Sequence, residues 1–140
     1  MNICKAFDAA FERAEKNNWD CIYVLIDIHD TIVKACWEDE ETYQYFPWAK
    51  ECLGLMSKCK SIKMILWSSS YDEKIADYVD NFKSKGIIFD YINENPEIGN
   101  TKLACFDKKL YFNVGIDNAF GFEPEKDWET IFNYLINKLS

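Results

Sequence analysis

Apolar positions along the chain follow two rhythms. Ile3, Ala6, Phe7, Ala10, Phe11 and Ala14 recur at helical spacing, which predicts a helix over residues 3–14 that closes at Asn17 and Asn18. Cys21 to Ile26 is instead a continuous apolar run rich in strand formers, the pattern of a strand buried on both faces. It stops at Asp27. Pro47 opens a second helical stretch with Ala49, Cys52, Leu53 and Met56 on its inner face. Ile62 to Trp67 repeats the buried-strand pattern, with Trp67 assigned to the core, and runs into Ser68-Ser69-Ser70. Ser70-Tyr71-Asp72-Glu73 has the spacing of a capping box. It predicts a helix carrying Ile75, Val79 and Phe82 that ends at Gly86. Third and fourth strands are expected over 87–92 and 110–116, separated by a loop over 93–101 and a short helical turn over 101–106. Trp128, Ile131, Phe132, Leu135, Ile136 and Leu139 predict a last amphipathic helix.

Buried strands alternating with amphipathic helices argue for an α/β fold: a mainly parallel central sheet flanked by helices, Rossmann-like, in one domain over residues 1–140. Ligands in such folds bind beyond the carboxyl ends of strands. That rule singles out Asp27, Ser68 and Asp117, each the first polar position after an apolar run.

Composition narrows the picture further. Hydrophobic residues make up 49% of the 140 and aromatics 16%, enough for a packed core. A net charge of −8 repels polyanions and disfavours nucleic acid as a partner. Six cysteines with no CxxC spacing, beside one histidine, do not form a zinc pattern. Free thiols, no secretory leader and no run of membrane-spanning length predict a cytoplasmic protein without a membrane partner.

The chemistry concentrates at the first strand tip, Val24-Leu25-Ile26-Asp27-Ile28-His29-Asp30-Thr31-Ile32. A carboxylate at a buried strand end can serve as nucleophile and metal ligand, which suits Asp27. His29 has the chemistry to move protons near neutral pH. Thr31 can pin the turn by side-chain bonding, and Asp30 reads as a turn residue.

This segment resembles motif I of the haloacid dehalogenase-like superfamily, Asp-x-Asp-x-Thr after a hydrophobic strand. Ile65-Leu66-Trp67-Ser68 resembles its motif II. Tyr111 to Asn118, ending in Asp117-Asn118, resembles motif IV, and Lys102 is the candidate for the motif III lysine, in competition with Lys108 and Lys109. The resemblance spans about residues 20–122. It implies a Mg²⁺-dependent phosphohydrolase that acts on a phosphomonoester through an aspartyl-phosphate on Asp27. It further implies Mg²⁺ held by Asp27, the backbone carbonyl of His29, Asp117 and Asn118, and phosphoryl oxygens held by Ser68, Ser69 and Lys102.

Two positions depart from the family pattern. His29 stands where an Asp usually acts as general acid/base, a role typically worth ~10²–10⁴ in rate. Asn118 stands where the acidic pair often has a second Asp. Between motifs I and II lie about forty residues, too few for a large cap domain beside the flap over about 28–46 and a helix. An open site of this kind implies a bulky phosphorylated substrate, or a protein partner that completes it. The flap carries Lys34, Trp37, Tyr43, Tyr45, Phe46 and Trp48, with packing favoured over substrate grip for its aromatics. The alternatives are a catalytically weak or inactive phosphate- and metal-binding or interaction module, and a polynucleotide end phosphatase, which the charge opposes.

Overall fold

The computed structural model describes residues 2–35 and 43–139. Its strands and helices alternate as far as the third strand, and the fourth follows with no helix between. Helix α1 (Ile3–Asn17) starts where the Asn2 side chain accepts from the Cys4 and Lys5 amides and ends at Asn18, whose left-handed backbone (φ 57) turns the chain. Strand β1 (Ile22–Asp27) follows, then α2 (Ala49–Ser57), β2 (Ile62–Trp67), α3 (Asp72–Ser84), the short β3 (Tyr91–Ile92), the short β4 (Val114–Ile116), a 3₁₀ turn over Asn118–Phe120 and α4 (Asp127–Leu139). Trp37 and the acidic run Glu38 to Glu41, expected in the flap, lie outside the described residues. Among the described residues no helix is long and apolar enough to cross a membrane.

The sheet is wholly parallel, in the order β3-β2-β1-β4. Alternate residues of each strand face opposite sides, and the two sides are built differently. Ile22, Val24 and Ile26 of β1 and Ile62, Met64 and Leu66 of β2 enter the main core with the buried faces of all four helices. Tyr23, Leu25 and Ile65 form a second, smaller cluster, packed against Cys21 and Tyr91 and the chain between β3 and β4. Handedness accounts for this. The crossovers β1–α2–β2 and β2–α3–β3 step one way along the sheet. The β3–β4 connection steps back past two strands, and a right-handed crossover must then pass over the opposite face. That connection is irregular. Glu97 ties it to the sheet, accepting from the Tyr23 hydroxyl at 2.9 Å, from Lys63 at 2.6 Å and from the Tyr91 hydroxyl.

Several elements differ from their expected extents, each for a local reason. No helical turn forms over 101–106. The Thr101 hydroxyl takes the Leu103 and Ala104 amides, and the Asn100 side chain takes the Phe106 amide, so the backbone is satisfied without one. The third strand shrinks to two residues because the Asp90 carboxylate, not a ladder carbonyl, accepts from the Met64 amide at 2.8 Å. The fourth shrinks to three because the Asn113 side chain accepts from the Tyr23 amide at 2.8 Å. Helix α3 has no capping box: Tyr71 is its N-cap and offers no side-chain cap. The Ser68 hydroxyl meanwhile accepts from the Ser70 amide at 3.1 Å and stabilises the turn that leads in.

Candidate functional site

The register brings three strand ends to one edge of the sheet. Asp27 pairs with Trp67, so Ser68 lies one step beyond. Ile26 pairs with Ile116, so Asp117 follows beside Asp27. Asp27, Ser68, Ser69 and Asp117 line one cavity of about 690 Å³, with Trp67 and Lys108 in its wall. The places singled out by strand-end polarity therefore converge.

Thr31 is the post that holds the motif I turn. It is fully buried. Its hydroxyl lies 3.1 Å from Asp27 Oδ2 and 3.4 Å from Asn118 Oδ1, and accepts from the Asn118 amide at 3.1 Å. One hydroxyl proton serves one acceptor, and the shorter contact with the carboxylate assigns it to Asp27. The Thr31 carbonyl accepts from the Trp128 indole at 2.7 Å, which anchors the turn to α4 in the core. Asp30 takes the left-handed backbone (φ 56) and its side chain accepts from the Ala35 amide at 3.0 Å, a turn residue as expected.

Electrostatics single out Asp27. Burial and then the negative charge of Asp117 push its carboxyl up to about 6, against the pull of hydrogen bonds from Thr31 and the Ile28 amide. Asp117 commits Oδ1 to the Ala119 amide at 2.8 Å. Thr31 thus engages Oδ2 of Asp27, and the Ala119 amide engages Oδ1 of Asp117. Among the described residues no group of three or more His, Cys, Asp or Glu is arranged around a common point.

The remaining expected site residues divide. His29 does not line the cavity. Its Nε2 meets the Tyr78 hydroxyl of α3 at 3.0 Å, the rings edge to face at 5.2 Å, and burial holds its pKa below the usual value. Asn118 also stays out of the cavity wall and is held at Thr31. Lys102 is exposed on the β3–β4 crossover away from the cavity, whereas Lys108, six residues on, reaches it. An irregular rather than helical backbone over 101–106 leaves Lys102 outside the cavity wall and Lys108 within it. Of the flap aromatics, Tyr43 packs on Tyr78, Tyr45 on Phe82 and Trp48 on Phe132, and Phe46 is buried. None of these four lines the cavity. The aromatic wall comes instead from Phe106 and Trp67. Trp67, assigned to the core from sequence, is 40% exposed. Its register with Asp27 was the available signal: partners across parallel strands face the same way.

No protein-family model matches the chain, and no curated protein does. A solved structure described as that of the conserved protein coded by a locus from Bacteroides thetaiotaomicron is similar to it, with a TM-score of 0.65 and 24% identity. The likeness covers 84% of this chain and 92% of that one. It shows the fold. The α/β fold is therefore shared over most of both chains.

Proposed function

We propose that the protein is a Mg²⁺-dependent phosphohydrolase that acts on a phosphomonoester through an aspartyl-phosphate. The observation that carries this is the meeting of Asp27, Asp117 and Ser68 in one cavity with Lys108. With the Asp27 carboxyl at about 6, the nucleophile is mostly ionised above neutral pH. Thr31 orients Oδ2, and Oδ1 attacks phosphorus while the ester P–O bond breaks and its electron pair leaves on the departing oxygen, which is protonated. The Ser68 hydroxyl, accepting from the Ser70 amide, keeps its proton to donate to a phosphoryl oxygen, and Lys108 offsets the charge of transfer. Water then cleaves the acyl-phosphate and returns the carboxylate.

The donor set fits a hard divalent cation. Burial, with the repulsion of Asp117 added, raises Asp27, and oxygen is the ligand that Mg²⁺ takes. Asp27, Asp117 and the His29 carbonyl would hold it, and when bound it would cancel the repulsion between carboxylate and phosphate. The test is phosphate release from a panel of phosphomonoesters with and without Mg²⁺. Release that exceeds an Asp27→Asn control only with Mg²⁺ is expected. No such release sinks the proposal.

One observation favours a second reading, phosphate and Mg²⁺ binding without turnover: His29, the residue at the acid/base position, has its Nε2 on Tyr78. Beryllium fluoride trapped on Asp27, together with phosphate release, would exclude it. Trapping without release would establish it.

A further inference from the structure

The cavity does not stand alone. A second hollow of about 440 Å³ adjoins it at Trp67 and Lys108, which line both. Its walls are apolar and aromatic: Leu25, Trp67, Phe112 and Phe120, with Lys108 and Lys109 at the edge. Gly115 makes it possible. A Cβ there would stand 2.8 Å from the Phe120 ring and 3.3 Å from Phe112, so both rings settle over bare backbone on this face of the sheet. Trp67 and Phe120 are large apolar side chains left 40% and 48% exposed. Neither lysine forms an ion pair among the described residues. An aromatic hollow with cations at its edge, opening beside a nucleophile, suits a flat ring attached to a phosphate.

Proton supply at the site points the same way. The chain has one histidine, and its Nε2 is engaged by Tyr78 outside the cavity wall. Four carboxylates line the cavity, Asp27, Glu94, Asp107 and Asp117, and of these Asp107 accepts from Asn100 at 2.9 Å, a bond that favours its ionised form. A leaving oxygen that needs a proton is poorly served by His29. A phenolate needs none.

We propose that the substrate is an aryl phosphate whose ring lies against Trp67 and Phe120 and whose phosphate faces Asp27. This rests on the phosphohydrolase proposal. In the first step an Asp27 oxygen bonds to phosphorus and the P–O bond to the ring breaks, with the electron pair leaving on the phenolate, which takes a proton from solvent. In the second, a water oxygen bonds to phosphorus and gives up a proton to solvent, the bond to Asp27 breaks with its electron pair returning to the carboxylate, and inorganic phosphate departs.

Binding and turnover test the two proposals separately. With Mg²⁺ present, phenylphosphonate should bind about tenfold more tightly than ethylphosphonate by calorimetry. Trp67→Ala and, independently, Phe120→Ala should shrink that ratio. Both side chains are substantially exposed, so at least one variant should fold. Equal binding of the two phosphonates, or a ratio untouched in both folded variants, overturns the inference and leaves the phosphohydrolase proposal standing. If neither phosphonate binds and no ester is hydrolysed, both fall. Across substituted phenyl phosphates, kcat/KM should drop steeply as the leaving-group pKa rises, and a flat series also overturns the inference. Turnover of a phosphotyrosine peptide above phenyl phosphate would locate the ring in a polypeptide, and the reverse in a small phenol.

Discussion

Asp27→Asn should stabilise the protein, and only above mid-acid pH. The Asp27 carboxyl, ordinarily at 3.8, is raised to about 6 by burial and by Asp117. A raised carboxyl favours folding in its protonated form. Its contribution is whole below 3.8 and is lost as pH rises through about 6. At about 1.4 kcal/mol for each tenfold, ionised Asp27 burdens the fold by about 3 kcal/mol, a figure that solvent on the open side of the cavity trims towards about 2. Asn has nearly the shape of protonated Asp and still accepts from Thr31, so it removes the charge and little else. For a chain of this size about 3 °C accompanies each kcal/mol, which predicts a Tm about 6–9 °C above wild type at pH 8 and almost equal to it near pH 4. Thermal melts of both proteins across that range provide the assay. Mg²⁺ should raise the wild-type Tm at pH 8 and narrow the gap. A difference independent of pH, or a variant less stable throughout, would refute the account of Asp27 as a strained carboxylate.

Other substitutions probe the rest of the site. Thr31→Val keeps the shape but strips Asp27 of one of its donors and the Asn118 amide of its acceptor. Urea denaturation should show a loss of about 2–4 kcal/mol, and the acid limb of activity should move to higher pH. Lys108→Ala should lower kcat/KM by about 10²-fold, far more than Lys102→Ala, and the opposite ranking would return the phosphate-holding role to Lys102. His29→Ala takes a partner from the buried Tyr78 hydroxyl and should cost about 1–2 kcal/mol of stability. Its effect on kcat should stay well short of the ~10²–10⁴ expected for a general acid, and a loss of that full size would show that the imidazole swings into the cavity during turnover.

The sheet and its chemical edge were legible in sequence because both depend on short-range patterns. β1 and β2 are continuous apolar runs, and a polar residue after such a run marks a strand tip whatever lies elsewhere. Asp27, Ser68 and Asp117 were found that way. Other features depend on distant partners. His29 points where it does because of Tyr78, 49 residues away, and no local pattern encodes that contact. Asp90 and Asn113 shorten two strands by offering side chains where the apolar runs suggest backbone pairing. Along the irregular crossover no periodicity fixes which lysine faces the strand ends, so the sequence pointed to Lys102 where Lys108 lines the cavity. Trp67 was misjudged because a tryptophan ending a buried strand is ordinarily interior, while here the face it occupies is covered by an irregular segment that leaves it partly open.

That one-sided covering also bears on the order of assembly. The β1–α2–β2 unit closes a modest loop and gains most of the helical core at once. β4 must find β1 across a far longer stretch, as the Tyr23–Asn113 contact shows with its separation of 90 residues. Loop-closure entropy favours the shorter pairing first. Asp117 would then join Asp27 late, and the mutual repulsion of the two carboxylates would be met only once most of the native contacts exist to bear it. A divalent cation present during refolding should therefore accelerate the last phase and leave the first untouched.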